Sequence, residues 1–191
     1  RTPAERREVA RRLAAVLLEL PEVARAGCVA AYASTGGEPG TGHLRAELRR
    51  LGVRVVLPVV RPDGGLDWAV DDGELRPGAG PGGPEPTGPR LGRPGVREAG
   101  GVIAHALAVD TRGNRLGQGG GYYDRALPLV DAAVPVLALV HDGEVLDAAI
   151  EPVPAGLRER SRPQREAYLG RIEAAAGRAV DQTALACGNL A

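Results

Sequence analysis

Four short runs of nearly unbroken apolar character limit what this chain can fold into. They are CVAAY (Cys28–Tyr32), VRVVLPVV (Val53–Val60), GVIAHALAVD (Gly101–Asp110) and VPVLALV (Val134–Val140). A strand with one wet face alternates polar and apolar residues. These runs do not, so both of their faces are predicted to be buried. Helical patterns separate them. Thr2-Pro3-Ala4-Glu5 reads as a capping box with proline in the first turn, and Val9, Leu13, Val16, Leu17 and Leu20 follow at helical spacing. Thr41 is placed to cap a second helix over HLRAELRRLG, which Gly52 stops. Doubly buried strands that alternate with helices predict a three-layer α/β fold, with a mostly parallel central sheet and helices on both faces. Pro62-Asp63-Gly64-Gly65 predicts a turn that returns LDWAV (Leu66–Val70) as a hairpin partner. From Gly73 to Pro94 the chain is rich in glycine and proline, and that composition predicts a flexible loop.

Charge excludes some partners. The 24 basic residues, all arginine, balance 24 acidic ones, so no global field favours nucleic acid or an anionic membrane. No apolar run is long enough to span a bilayer, and no signal-peptide pattern is present. Cys28 and Cys187 lack metal-ligand spacing and predict reduced thiols in a cytoplasm. The absence of methionine predicts a chain trimmed at its start.

The stretch RGNRLGQGGGYYDR (Arg112–Arg125) carries the chemistry. It joins a predicted strand to a helix expected to begin near Tyr122, and ligands of open α/β sheets sit beyond the carboxyl ends of strands. Glycines let backbone approach an anion, and a helix start offers free N–H groups. The stretch is not a Walker A loop, because no Gly-Lys-Ser/Thr follows. Nor is it the dinucleotide fingerprint, because Tyr122 stands where the third glycine belongs. A tight strand-to-helix turn with no ligand accounts for the spacing equally well. Asp124 reads as a carboxylate compensating the helix dipole or as a Mg²⁺ ligand. Arg115 and Arg125 read as phosphate clamps or as solvated charges. Trp68 and His105 read as core residues, His105 with a backbone hydrogen bond, and His43 and His141 as structural or exposed.

The longer segment ALAVDTRGNRLGQGGGYYDRAL (Ala106–Leu127) resembles the signature of the 5-formyltetrahydrofolate cyclo-ligases, also called methenyltetrahydrofolate synthetases. Asp110, Gly113, Arg115, Leu116, Gly117, Gly119, Gly121, Tyr122, Tyr123 and Asp124 all fall in the family pattern. AAYASTGGEPGT (Ala30–Thr41), GVRVVLPVV (Gly52–Val60) and PEPTGPRLG (Pro84–Gly92) agree in order and spacing, so the resemblance runs from Thr2 to Pro152. It implies a Mg²⁺- and ATP-dependent conversion of 5-formyltetrahydrofolate to 5,10-methenyltetrahydrofolate, with release of ADP and phosphate, through a phosphorylated formyl group. It further implies that Arg115, Leu116, Gly117, Gln118, Gly119, Gly120, Gly121, Tyr122 and Tyr123 line the ATP site, with Arg115 and Tyr123 catalytic. Ala33, Glu38 and Tyr122 would touch the folate, and Asp124 the metal. A cytoplasmic monomer with no nucleic-acid or membrane partner is expected.

Two departures bear on activity. A basic K-x-x-L-R-like segment of the family has no counterpart before Thr2, and Arg6 and Arg7 are its nearest substitutes. After Pro152 the family pattern stops, which divides the chain into a cyclo-ligase-like domain (1–152) and a divergent tail (153–191) in which Ser161-x-x-Gln164 starts a helix. An impaired family member that binds folate or nucleotide without turnover is therefore the alternative. A sugar-phosphate isomerase relative is weaker, since no general base stands beside the glycine loop.

Overall fold

Thr2 Oγ1 accepts a hydrogen bond from the Glu5 amide at 3.3 Å, and the Glu5 carboxylate accepts one from the Thr2 amide at 2.6 Å. This reciprocal cap begins α1 (Pro3–Glu19) in the computed structural model, which describes residues 2–78, 82–147 and 150 and a strand at 185–188. The elements that follow are α2 (Pro21–Ala24), β1 (Cys28–Ala30), α3 (Gly42–Arg50), β2 (Arg54–Val60), β3 (Leu66–Val70), β4 (Leu75–Arg76), β5 (Glu85–Pro86) and β6 (Arg90–Gly92). Then come β7 (Gly101–His105), β8 (Ala108–Asp110), β9 (Arg115–Leu116), α4 (Tyr122–Ala126), β10 (Val136–Leu139), β11 (Val145–Leu146) and β12 (Leu185–Gly188).

The central sheet has the order β12-β10-β7-β1-β2-β3-β6. Its middle strands β10, β7, β1 and β2 are parallel. The edges are antiparallel: β3 and β6 on one side, β12 on the other. Three of the doubly buried runs behave as their composition predicts; the fourth, Gly101–Asp110, is not one strand but divides into β7 in this sheet and β8, which pairs with β9 and β11 in a separate sheet. Val29, Val55, Leu57, Ile103, Leu137 and Leu139 pack with Leu17, Leu44 and Leu48 of α1 and α3. Their neighbours Cys28, Ala30, Val56 and Val102 face the other way, against Trp68, Val96, Ala99 and Ala126. Trp68 is a core residue, as expected.

The helical layers are unequal. Among the described residues, α1 and α3 cover one face, while short helical segments at Arg93–Glu98, Tyr122–Ala126 and Leu127–Leu129 cover the other. Pro128 accounts for part of this, since proline removes a helical N–H and clashes with the preceding turn.

Two further expectations need correction. Thr41 does not cap α3 with its side chain; its hydroxyl donates to the Tyr32 carbonyl at 2.5 Å instead. The segment after Gly73 is not simply a loop. β4 pairs with β5 and β6 pairs with β3, and Thr87 Oγ1 donates to Asp72 at 2.9 Å. Glycine and proline here mark turns between very short strands. The helix expected from Ser161 onward lies outside the described residues. β12 pairs antiparallel with β10, so residues 185–188 add an edge strand to the same sheet.

Candidate functional site

β1 and β7 are parallel neighbours, so the loops leaving their carboxyl ends emerge side by side. The loop after β1 is tied down by its own side chains. Tyr32 donates its hydroxyl to the Pro39 carbonyl at 2.8 Å, and Ser34 Oγ accepts from the Thr41 amide at 3.2 Å. The Glu38 carboxylate accepts from the Thr35 amide at 2.6 Å and its hydroxyl at 3.0 Å. Glu38 lines a recess of about 320 Å³ together with Ser34, Thr35, Arg6, Arg7 and His43. Ala33 is buried, so it offers a ligand little beyond backbone.

At the end of β7, the His105 ring stands edge-on between two tyrosines, 5.4 Å from Tyr32 and 5.2 Å from Tyr123. Among the described residues the ring makes no backbone hydrogen bond of the kind expected and packs in this aromatic wedge instead. Burial pushes the His105 pKa below its ordinary value; Glu38 opposes that shift and Arg115 adds to it. Glu38 and Arg115, one from each loop, therefore both act on the same imidazole. The wedge joins the Glu38 loop to the glycine loop.

The glycine loop begins in the β8–β9 hairpin. Asp110 is buried there. Its carboxylate accepts from the amides of Arg112, Asn114 and Ile150 at 2.8–3.0 Å, and from Asn114 Nδ2 at 2.8 Å. Burial raises its pKa, but these hydrogen bonds outweigh burial and hold it below the usual carboxylate range. This signature aspartate builds the turn and is consumed by it.

Arg115 follows on β9. Its side chain is only 7% exposed, its Nη2 donates to Asp124 Oδ1 at 3.1 Å, and its guanidinium lies 5.0 Å from the Tyr123 ring centroid. Arg115 Nε is buried with no hydrogen-bond partner among the described residues. The Tyr123 hydroxyl is in the same condition, set against the His105 backbone without a well-formed bond. Burial pushes Tyr123 up to about 12, with Arg115 pulling the other way. Two buried polar groups thus meet at the loop with capacity to spare.

Gly119 and Gly121 have φ of 81° and 63°, the region that side-chain-bearing residues avoid. A Cβ on Gly121 would also meet Arg125 Nη1 at 2.7 Å. These glycines are required by the turn itself, so replacing them tests the backbone as much as any ligand. Gln118, Gly119 and Gly120 are exposed at the tip, Gly117 lies against the Arg115 guanidinium, and Tyr122 is half-buried. Leu116 points into a small core with Ala108, Leu146 and Ile150 and can contribute only backbone to a ligand.

Two readings of this stretch change. α4 has five residues, too short for its dipole to carry an anion site. Arg125 is not a free clamp: its Nη2 donates to the Gly120 carbonyl at 2.8 Å and to the Gly64 carbonyl in the β2–β3 turn. It braces the glycine loop against that hairpin. Asp124 remains half-exposed, and among the described residues only its Oδ1 is engaged.

The model of the 5-formyltetrahydrofolate cyclo-ligase family matches residues 1–155. The chain belongs to that family. A 5-formyltetrahydrofolate cyclo-ligase of Mycolicibacterium smegmatis is 41% identical over 143 residues, 72% of this chain and 74% of the relative. One of Escherichia coli K12 is 31% identical over 147 residues, covering 66% and 71%. Among solved structures, Aquifex aeolicus 5,10-methenyltetrahydrofolate synthetase superposes with a TM-score of 0.66 at 26% identity, over 80% of this chain and 76% of the other. The Mycoplasma pneumoniae synthetase gives 0.57 at 17% identity, over 80% and 83%, and bears on the fold alone. Tyr32, His105 and Tyr123 hold the Glu38 loop and the glycine loop side by side. No described helix is long and apolar enough to cross a membrane.

Proposed function

We propose that this cyclo-ligase family member converts 5-formyltetrahydrofolate to 5,10-methenyltetrahydrofolate and couples ring closure to ATP, releasing ADP and phosphate. The observation that supports this reading is the Tyr32–His105–Tyr123 wedge, which sets the Glu38 loop beside the loop of Arg115. A formamide oxygen is a poor nucleophile. Its transfer chemistry depends on alignment and on charge compensation at the phosphoryl group, and little on covalent help from the protein. Arg115 supplies a nearly buried cation with an unused Nε donor. Gly117 through Gly121 supply bare backbone, and Tyr123 supplies a buried, neutral hydroxyl. Glu38 supplies acceptors for the donor edge of a pterin, and Ala33 and Tyr122 border the same ligand.

Mg²⁺ fits this site in a restricted way. The described residues contain no group of three or more carboxylate, histidine or cysteine side chains placed to hold a metal. Asp124 can give one hard oxygen, which suits an ion held mainly by phosphate oxygens and water. There the ion would neutralise phosphate charge. A monomer agrees with the exposed apolar side chains Val16, Leu51, Leu75 and Leu107, which come singly from separate stretches of the chain. A reducing, cytoplasmic setting agrees with the free buried thiol of Cys28.

The direct test is the absorbance of methenyltetrahydrofolate formed from 5-formyltetrahydrofolate with and without Mg·ATP. Binding of both ligands without product would make this chain a binding module. Glu38→Gln sharpens the assignment. It keeps the shape but exchanges one acceptor oxygen for a donor group. Loss of a charge-assisted hydrogen bond should weaken folate about ten- to a hundredfold, with ATP affinity unchanged. Equal weakening of both ligands in calorimetric titrations would instead make Glu38 a support for its loop through Thr35.

A further inference from the structure

A second recess, of about 500 Å³, opens at the carboxyl end of β2 and is lined by Arg61, Asp67, Arg76, Glu85 and Arg90. Segments next to its walls reach both ligand loops. The β2–β3 turn on one side of it is tied to the glycine loop by Arg125, which donates to the carbonyls of Gly64 and Gly120. On the other side, Gly83, two residues before Glu85, packs against Thr35 of the Glu38 loop; a Cβ there would lie 2.8 Å from Thr35 Cγ2.

The charges in the recess are not all spent. Arg61 is committed to Asp67, at 3.1–3.2 Å, and to Asp63. Arg76 and Arg90 are not. Each is about half-exposed, and its guanidinium makes no hydrogen bond to a described residue. Their common neighbour is Glu85 Oε2, at 3.8 and 3.5 Å, close enough to attract and too far to bond. Glu85 itself is buried, and its Oε1 has no partner among the described residues. A buried carboxylate so placed holds two guanidiniums at the rim without using their donors. Two cations over one anion leave a positive excess that suits an oxyanion ligand, and guanidinium forks match carboxylates in a bidentate way.

We propose that this recess is the subsite for the glutamate carboxylates of the folate substrate, with Arg76 and Arg90 as their partners and Glu85 as a positioning residue. The inference rests on the folate reading above. A glutamate tail is anionic, flexible and remote from the reacting formyl group, and the recess lies beside the ligand loops without reaching the wedge residues. Nucleotide phosphate shares the same chemistry and is separated by the test.

The test compares 5-formyltetrahydrofolate with 5-formyltetrahydropteroate, which lacks the glutamate. In Arg76→Gln/Arg90→Gln, KM for the full substrate should rise about tenfold, the size expected from losing charge-assisted hydrogen bonds. KM for the tail-less substrate, KM for ATP and kcat should match wild type. Glu85→Gln should give the same selective rise in KM. Both arginines are exposed enough for the fold to survive, which the melting temperature checks. Equal effects on both folates, or none on either, overturn the subsite. A rise confined to ATP also overturns it, because the recess would then hold nucleotide. If wild type binds folate but forms no product, the ligase reading fails alone, and dissociation constants for the same two folates decide the subsite.

Discussion

Arg115→Met is expected to lower kcat by about two to three orders of magnitude and to leave the fold in place, as loss of a preorganised transition-state donor does elsewhere. Arg115 is nearly buried, yet its Nε has no described partner. A structural arginine at this depth would use its full fork. The bonds it does make are modest ones: an ion pair to half-exposed Asp124 and a face contact with Tyr123. Pairs of the first kind contribute at most about 1 kcal/mol, and contacts of the second about 0.5–2 kcal/mol. Methionine keeps most of the apolar stem, so the stability loss should stay within that range. Arg115→Lys separates charge from shape: it keeps a cation but loses the fork, and should recover only part of the rate. Steady-state kinetics and scanning calorimetry on the same preparations check both statements. A large fall in melting temperature with normal kcat would make Arg115 a brace like Arg125.

The difference between these two arginines shows where the sequence stops being informative. Both flank the glycine stretch, and both looked equally suited to clamp phosphate. Only the fold brings Gly64, 61 positions away, to the Arg125 guanidinium. His105 hides its role for the same reason, since its ring partners come from residues 32 and 123. The central strands were readable because double burial erases alternation: Val29 faces one core and Cys28 and Ala30 the other, so all must be apolar. The glycine loop was readable as a turn, since Gly119 and Gly121 need positive φ. β4, β5 and β6 were not, because strands of two or three residues carry no period to detect. Thr41 had the right residue type for a cap, but its hydroxyl found the Tyr32 carbonyl first.

Asp71→Ala should be the most destabilising single change among the described polar residues, at about 3–5 kcal/mol, because it strands a buried arginine. Asp71 is completely buried at the end of β3 and accepts from Arg45 at 2.8 and 2.9 Å in a bidentate pair. Arg49 adds a bond at 2.7 Å and the Gly73 amide one at 3.2 Å. These bonds fasten α3 to the edge of the sheet and fix the start of the β4–β5 excursion. The alanine variant keeps the Arg45 charge, 7% exposed, with no counter-ion. For a chain of this size the loss corresponds to a fall of roughly 10 °C in melting temperature. Adding Arg45→Met to Asp71→Ala should recover part of it, since the cost lies in the unpaired charge. The pH dependence has a defined sign. Burial raises the Asp71 pKa, but Arg45, Arg49 and the Gly73 amide outweigh it and hold the carboxyl below its ordinary 3.8. A depressed carboxyl stabilises the fold above its unfolded pKa, and that contribution fades as pH falls from about 3.8 through the folded value. The alanine variant should therefore lose stability at neutral pH and show a shallower acid slope than wild type in that window. Denaturant midpoints measured at neutral pH and between pH 2 and 4 decide it. An unchanged acid slope would mean that Asp71 carries no ionised charge in the folded protein, and the Arg45 pair would have to be held by the surrounding apolar packing instead.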